Sequence, residues 1–427
     1  MRRLFDRLPE GTFQIGSGLV VNGVTAYAFI TLSSRTLGVE AYSPVALLWA
    51  LTFLLGVGFF MPLEQETARI VAERAAGGMG AAPVVRSAAV LGGLLVSVFI
   101  LAALTASSWM VGDLFEGEVL LFVGLLVAVT GVASAHLVKG VLAGLGRFAS
   151  YGWYLVGEGL GRVALLALIL IFVRESVGIY GLAIGLAPFL GIGVALGRHR
   201  GLLGPGPAAH LGDLSKALGS LLVASVATAL VLNSSPVVVE LLANDLEADE
   251  PGRFLNALLI ARIPLFFFQA VQASLLPKLS GLAASGRLVE LWGVLKRLLV
   301  LVVGIGVMTL VLAASAGPWV VELAFGQGFA VSRTDMVLLT LSSAVLMVAL
   351  SLAQGLIACR AQGKVAVAWV IGLLAFPVAV ALEKDLFLRV ELGLVATVSV
   401  SSLVMAVLLM RRLHDEGLGQ GGRTRNS

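Results

Sequence analysis

Charged side chains are scarce in this sequence, and their scarcity excludes a soluble protein. Only 13% of the 427 residues are Asp, Glu, Lys or Arg, whereas 59% are hydrophobic, and the mean hydropathy is +1.01. A soluble domain averages about 25% charged residues, because charge is needed to cover a water-facing surface. The composition therefore predicts an all-α integral membrane protein that crosses the bilayer several times.

Cysteine clusters, metal-ligand clusters and nucleotide-binding motifs are also missing. The only cysteine, Cys359, excludes an internal disulfide, and the four histidines are scattered along the chain. No Walker A motif occurs, which excludes an ATPase. The acidic outer stretch Asp113–Glu118 could suggest the carboxylate site of a membrane glycosyltransferase, but no large outer domain accompanies it. We therefore expect no enzymatic activity, no metal and no cofactor. The net charge of +4 is spread over short loops, so we expect no nucleic-acid partner.

Long apolar runs, by contrast, are abundant. A run of about 20 apolar residues crosses the hydrocarbon core of a bilayer. The first run follows the basic segment MRRLFDRLPEG and, from Thr12 to Leu32, is longer than a signal-peptide core, so we expect an uncleaved first span. Twelve runs qualify as predicted spans: residues 12–33, 44–62, 87–109, 118–139, 150–172, 177–197, 215–236, 253–276, 291–315, 335–358, 364–383 and 391–410.

Lysine and arginine in the short loops predict the orientation of these spans. With the N-terminus inside, 21 basic residues fall in cytoplasmic segments and 6 in outer loops, while Arg162 and Arg262 lie within spans. Cytoplasmic loops carry the excess of basic residues in membrane proteins. The bias therefore favours twelve spans with both termini in the cytoplasm.

Three weak sequence echoes suggest that the chain is an internal duplication. Trp109–Phe115 resembles Trp319–Phe325, at an offset of 210 residues, and similar echoes after spans two and four have offsets of about 207 and 215. Because each half holds six spans, the halves are predicted to be parallel repeats. We expect two six-helix lobes around a central cavity: residues 1–197, a cytoplasmic linker over 198–214, a second lobe over 215–412, and a disordered cytoplasmic tail over 413–427.

Arg262 lies inside an apolar span, where a charge is costly and indicates a functional site by default. It either forms a structural pair between helices or lines a cavity and binds an anionic substrate. Gln269 and Gln272 lie close to one face of the same helix, and Pro264 would free backbone carbonyls nearby. These neighbours favour the cavity interpretation, with Arg262, Gln269 and Gln272 as candidate substrate contacts.

Two further groups of charges have helical spacing. Glu158 and Arg162 are four residues apart within span five, so they either neutralise each other for packing or act as a gate or substrate contact. Arg69 is spaced to pair with Glu66 and Glu73 where span two leaves the membrane, in a solvated helix extension or a cytoplasmic gate. Asn22 is a candidate substrate contact, although buried amides more often join helices.

Several stretches together resemble one transporter family. They are LGVEAYSPVALLWALTFLLGVGF (Leu37–Phe59), QETARIVAERAAGG (Gln65–Gly78), GVLAGLGRFASYGWYLVGEGLGR (Gly140–Arg162), FFFQAVQASLLPKLSGLA (Phe266–Ala283) and GPWVVELAFGQGF (Gly317–Phe329). This pattern of Gly, Pro and charge at loop positions resembles the polysaccharide and O-antigen flippases of the multidrug/oligosaccharidyl-lipid/polysaccharide exporter superfamily.

The resemblance implies a flippase that moves a saccharide on an undecaprenyl-type lipid pyrophosphate across the bacterial cytoplasmic membrane by alternating access. It implies a glycan polymerase or glycosyltransferases as protein partners. Cationic cavity residues hold the pyrophosphate in such proteins, a role that falls here on Arg262 and, more weakly, on Arg162 and Arg35. Two alternatives stay open: a cation-coupled multidrug exporter of the same superfamily, which would want a carboxylate in span one or seven, and a non-transporting membrane assembly factor.

Overall fold

The computed structural model describes residues 12–173, 176–197, 202–208, 222–223, 225–244 and 247–423. Regular secondary structure within these residues is helical, which confirms the predicted all-α class. The chain divides into two compact units, Met1–Gly252 and Arg253–Ser427.

Within the described residues, the first unit contains eight α-helices of at least two turns. The helices are α1 (Thr12–Leu55), α2 (Met61–Ala76), α3 (Ala82–Thr105), α4 (Val119–Gly144), α5 (Phe148–Phe172), α6 (Val177–Leu196), α7 (Ser225–Asn233) and α8 (Ser235–Leu242).

Local backbone features divide the long first helix. Gly38 has φ 76° and ψ 172°, so α1 consists of two helical arms that meet at this residue. A π-helical turn over Gly56–Phe60 then joins α1 to α2. A π turn holds an extra residue and often marks a functional site. The kink at Gly38 therefore separates predicted span one from predicted span two, and the π turn lies within span two.

The seventh predicted span is bent rather than straight. Helices α7 and α8 meet at an angle of 61° around Ser234. The Ser234 hydroxyl donates to the Leu230 carbonyl oxygen at 2.5 Å, and Pro236 lies in the first turn of α8. Proline lacks the N–H that would continue the hydrogen bonding of α7. The interruption that Pro236 predicts is present, and residues 215–221 of this span lie outside the described residues.

The second unit contains the remaining helices. They are α9 (Glu250–Ala261, which begins just before the unit boundary), α10 (Ile263–Ala284), α11 (Leu288–Phe325), α12 (Arg333–Ala358), α13 (Gln362–Ala381) and α14 (Leu386–Arg423). Helix α14 continues past residue 413, where the sequence predicted a disordered tail, because no proline follows to stop it. The break between α9 and α10 falls at Arg262.

The predicted count of twelve spans stays a prediction. Nine helices of the described chain are long and apolar enough to cross a membrane, or ten if α7 and α8 form one bent span. One of the nine, Phe13–Ala76, covers both predicted spans one and two. Predicted span eight is divided at Arg262 into α9 and α10.

Part of the predicted linker packs on the first unit. Arg74 donates to the carbonyl oxygens of Pro207, at 2.9 Å, and Ala208, at 3.1 Å, and the Ala82 N–H donates to the Gly204 carbonyl at 3.1 Å. A Cβ on Gly80 would lie only 2.1 Å from the Pro205 carbonyl oxygen. Residues 198–201 and 209–221 lie outside the described residues, so the predicted lobe boundaries remain predictions.

One type of helix ending recurs at the loops that showed sequence echoes. After α2, α4, α10 and α12, a residue with φ between 55° and 70° ends the helix: Gly78, Gly146, Gly286 and Arg360. In each case the next N–H donates to a carbonyl five residues back at 2.8–2.9 Å, the Schellman motif. Gly286 follows Gly78 by 208 positions (286 − 78) and Arg360 follows Gly146 by 214 (360 − 146), close to the offsets of the echoes.

Candidate functional site

A buried ion pair lies in the middle of the first unit, and we call it the Arg162 cluster (Asn22, Trp49, Glu158 and Arg162). The Arg162 Nη2 donates to Glu158 Oε1 at 2.7 Å, and the side chains are 4% and 17% exposed. Asn22 Nδ2 donates to Glu158 Oε2 at 3.1 Å. The guanidinium carbon of Arg162 lies 5.1 Å from the centre of the Trp49 ring, within cation–π range.

Glycines on α5 bring this helix close to its neighbours. A Cβ on Gly159 would lie 2.3 Å from the Thr25 hydroxyl oxygen on α1. On the opposite side, Gly157 and Gly161 pack against Val194 and Leu190 of α6, as the small-xxx-small spacing predicts. This close packing on two sides fixes the height and rotation of the Glu158–Arg162 pair within the unit.

Arg162 keeps hydrogen-bonding capacity that its neighbours do not use. Among the described residues, its Nε and Nη1 atoms are buried and have no hydrogen-bond acceptor. A buried donor without an acceptor costs about 1–3 kcal/mol. Guanidinium donors form their strongest hydrogen bonds with phosphate and carboxylate oxygens. The Nε and Nη1 donors can therefore bind an anionic oxygen, while Nη2 of the same guanidinium donates to the Glu158 carboxylate.

A second buried group, the Glu64 cluster (Glu64, His136, Lys139 and Tyr151), joins α2, α4 and α5. Around the Glu64 carboxylate, His136 Nδ1 lies 2.6 Å from Oε2, Lys139 Nζ lies 3.0 Å from Oε2, and the Tyr151 hydroxyl donates to Oε1 at 2.7 Å. The Glu64, Lys139 and His136 side chains are only 15%, 13% and 10% exposed. Because an ionised carboxylate only accepts hydrogen bonds, Nδ1 of His136 carries the donated proton.

The sequence interpretation missed the Glu64 cluster and treated the helix exit around Glu64 as mostly solvated. Helix α4 carries Gly140 and Gly144, whose Cβ atoms would lie 2.6 Å from the Glu64 carbonyl and 2.7 Å from the Ala68 carbonyl. This contact between backbones places Glu64 against α4. The available signal was the small-xxx-small pair Gly140 and Gly144 in an otherwise apolar span, with Lys139 next to it and His136 one helical turn before it.

Tyr154 connects the two clusters. It interacts electrostatically with Glu158, and Lys139 Nζ lies 5.7 Å from the centre of its ring. The side chain is fully buried. A continuous set of polar side chains therefore runs through the first unit from Arg162 to Glu64.

The charges at the end of α2 form the predicted pairs. Arg69 Nη2 lies 2.5 Å from Glu66 Oε1 and Arg69 Nη1 lies 2.6 Å from Glu73 Oε1. The Glu66 side chain is 4% exposed, whereas Arg69 and Glu73 are 51% and 62% exposed. The pairs fit a helix extension with one anchored carboxylate, and a gating role stays a prediction.

The remaining predicted contacts are not members of these clusters. Arg35 is exposed on α1 and lies 13 residues, or about 20 Å of helix, from Asn22. Arg262 belongs to the second unit, where it is half-buried at the break before α10. Gln269 and Gln272 lie on α10, but their side chains fall outside the described part of the structure. No group of three or more potential ligands in the described chain could hold a metal ion.

Two uncharacterised proteins of Mycobacterium tuberculosis are similar in sequence to this chain. One is 26% identical over 346 residues, 77% of this chain and 75% of the relative. The other is 25% identical over 420 residues, 95% of this chain and 94% of the relative. No protein-family model matches the sequence.

Several solved transporters have a similar structure. An inward-facing multidrug resistance MATE family transporter of the MOP superfamily gives a TM-score of 0.72 at 13% identity, over 92% of this chain and 95% of that one. A mutant of the Vibrio cholerae MATE transporter VcmN gives 0.67 at 14% identity, over 95% and 97%. A MOP superfamily transporter from Pyrococcus furiosus, whose reversed pocket polarity suggests a different function, gives 0.63 at 14%, over 95% and 96%. The chain is therefore a multi-pass membrane protein with the MATE transporter fold.

Proposed function

We propose that this protein is a flippase of the bacterial cytoplasmic membrane that moves a saccharide linked to a lipid pyrophosphate by alternating access. It exports the lipid without changing it chemically, so no residue is catalytic. Its substrate is a saccharide on an undecaprenyl-type carrier, and a glycan polymerase or glycosyltransferases are its protein partners.

The observation that carries this proposal is that two hydrogen-bond donors of Arg162 are buried and unsatisfied among the described residues. Its Nε and Nη1 donors are buried without an acceptor among the described residues, beside a ring that holds the guanidinium in place. A pyrophosphate supplies acceptor oxygens for such donors, and Arg matches phosphate geometry with paired N–H groups. A substrate without acceptor oxygens would leave those donors unused.

The buried carboxylates of the first unit argue against a cationic drug as the substrate. Glu64 contacts Lys139, and Glu158 contacts Arg162, so each carboxylate already has a cationic partner. A site for a cationic drug needs an unbalanced negative charge. Neither of these two carboxylates is therefore left as the unbalanced negative charge that the multidrug alternative would want.

Arg262, in the second unit, is a further candidate cation for contact with the substrate. It interrupts the helix between α9 and α10, with φ −97° and ψ −1°, and lies well inside the predicted span. A charge at this depth needs an ionic partner or a wet cavity. We assign Arg262 to the pyrophosphate during transfer, with Gln269, Gln272, Arg35 and Asn22 as further candidate contacts.

The test is transport by purified protein in vesicles that contain a lipid-linked oligosaccharide. A membrane-impermeant glycosidase reports the saccharide that reaches the outer leaflet. We expect Arg262→Ala to abolish the transfer, Arg262→Lys to retain part of it, and Arg162→Ala to reduce it about tenfold, since a hydrogen bond to a charged group contributes about 1.5–3 kcal/mol. Arg297→Ala changes an exposed arginine of α11 and is the matched control.

Three outcomes contradict the proposal. Normal transfer by both Arg262→Ala and Arg162→Ala would remove the two cations from the mechanism. Export of a cationic dye under a sodium or proton gradient, with no saccharide transfer, would support the multidrug alternative. Binding of glycan-assembly proteins without any transfer would support a non-transporting assembly factor.

A further inference from the structure

An apolar groove lies in the second unit between the start of α10 and the middle of α11. Its volume is about 380 Å³. The one polar residue in its wall, Thr309, donates to its own helix, to the Ile305 and Gly306 carbonyls at 3.0 Å each. Thr309 therefore offers no free hydrogen-bond donor to the groove. The lining residues used below are Ile263, Pro264, Phe268, Val302, Ile305 and Thr309.

The groove lies beside an exposed apolar surface. Leu301 and Met308 belong to its wall and are 54% and 56% exposed, in a part of α11, from Val300 to Leu312, whose exposed side chains are all apolar. In a bilayer such a surface faces lipid chains. A long hydrocarbon chain can therefore enter from the side and leave its far end in the membrane.

The position of the groove relates it to a charge at the same depth. Its lining on α11 runs from Leu298 to Thr309, in the central part of a helix that extends from Leu288 to Phe325. Arg262 immediately precedes Ile263 and Pro264, which line the groove on α10. A cation and an apolar groove therefore adjoin in the chain, well inside the predicted span.

This combination selects among lipids. A resident phospholipid keeps its headgroup at the interface, about 15 Å from the middle of a 30 Å hydrocarbon core. A lipid in the course of transfer brings its anionic head to the middle of the membrane, with its chain beside it. Only the transferred lipid places a negative charge near Arg262 and hydrocarbon in the adjoining groove.

We propose that this groove binds the first isoprene units of the transported lipid, next to its diphosphate. The proposal rests on the flippase function and adds a subsite for the chain, separate from the residues that bind the head. The groove holds the chain against α10 and α11 while the head crosses.

Photo-crosslinking tests the groove directly. The probe is a polyprenyl diphosphate with a diazirine in its second isoprene unit, in vesicles with the full-length protein, and labelled peptides are identified by mass spectrometry. Ile305→Trp and Thr309→Phe fill the groove. Val303→Trp and Val311→Trp, at positions that are 52% and 62% exposed on the same helix, are the controls. Thr309→Val tests the hydroxyl alone.

We expect labelling of α10 and α11 in the wild type, the controls and Thr309→Val, and at least fivefold less in the two filled variants. A phospholipid with a diazirine on its acyl chain should label the groove at least fivefold less than the polyprenyl probe. Thermal unfolding in detergent shows whether each filled variant is folded, and any unfolded variant is replaced by Val302→Phe.

Equal labelling of filled and control variants would overturn the proposal, and so would equal labelling by the phospholipid probe. Transport separates this result from the function itself. Saccharide transfer without groove labelling rejects the groove and leaves the flippase standing. Groove labelling without any transfer rejects the flippase and leaves an isoprenoid-binding protein.

Discussion

At the scale of single residues, the Glu158–Arg162 pair can be separated into structural and functional parts. Reversal of either charge alone leaves two like charges in a buried site, so we expect a loss of about 3–5 kcal/mol in the free energy of unfolding. The double variant Glu158→Arg/Arg162→Glu restores opposite charges and should recover thermal stability. Saccharide transfer should stay low, because the guanidinium donors have moved by one helical turn. Recovery of transfer as well would assign the pair to packing alone.

Glu391 is a buried carboxylate with a different environment. Its side chain is fully buried, and neither oxygen has a hydrogen-bond partner among the described residues. An unsatisfied buried polar group costs about 1–3 kcal/mol. We therefore expect Glu391→Leu to raise the free energy of unfolding by about that amount, measured by thermal unfolding in detergent.

The control for Glu391 is Glu290→Leu, which removes an exposed carboxylate paired with Arg287. Surface pairs contribute little to stability, so this change should alter the unfolding temperature only slightly. A lower unfolding temperature for Glu391→Leu would show that the carboxylate has a stabilising partner.

At the scale of helices, the contact between α2 and α4 determines whether the Glu64 cluster forms. A Cβ on Gly140 would lie 2.6 Å from the Glu64 carbonyl oxygen, so Gly140→Val must push the two backbones apart. We expect a loss of about 1–3 kcal/mol from overpacking. Thermal unfolding in detergent measures it, and Gly93→Val, at a position with open space around it, is the control. Equal unfolding temperatures would contradict the requirement for backbone contact.

Hydropathy predicted where the helices lie far better than how they are connected or what they bring together. Apolar runs identify α3 to α6 within a few residues of their ends. The kink at Gly38 falls in the connection predicted between spans one and two, whereas the π turn over Gly56–Phe60 has no such signal, because it occurs inside one apolar run. Spacing along a helix identified the Glu158–Arg162 pair. It could not identify Glu64 and His136, which are 72 positions apart and meet only through helix packing.

At the scale of the whole molecule, the segments between helix groups are held by the backbone as much as by side chains. Arg74 and Ala82 bind carbonyls of the segment Leu202–Ala208, and Gly80 leaves room for its approach. Gly80→Val would put a side chain into the Pro205 carbonyl and displace the segment. Loss of one or two hydrogen bonds of about 1 kcal/mol each should raise the fraction of molecules with this segment detached roughly tenfold.

Limited proteolysis measures this release. Trypsin cleavage after Arg198 and Arg200 should be about tenfold faster in Gly80→Val when opening is fast relative to cleavage. Gly93→Val serves again as the matched control. An unchanged cleavage rate would show that the segment is held by other contacts.

The recurring left-handed caps also make the loops of the two units interchangeable parts. The five residues from Gly144 to Phe148 and the five from Ala358 to Gln362 each connect two helices, and the first helix ends with the same backbone hydrogen bonds in both. A chimera that exchanges these segments alters charge and side chains but leaves the chain path as it was. Recombination at these joints could therefore shuffle helical hairpins between the halves of such a gene, or between relatives, without new turns having to evolve.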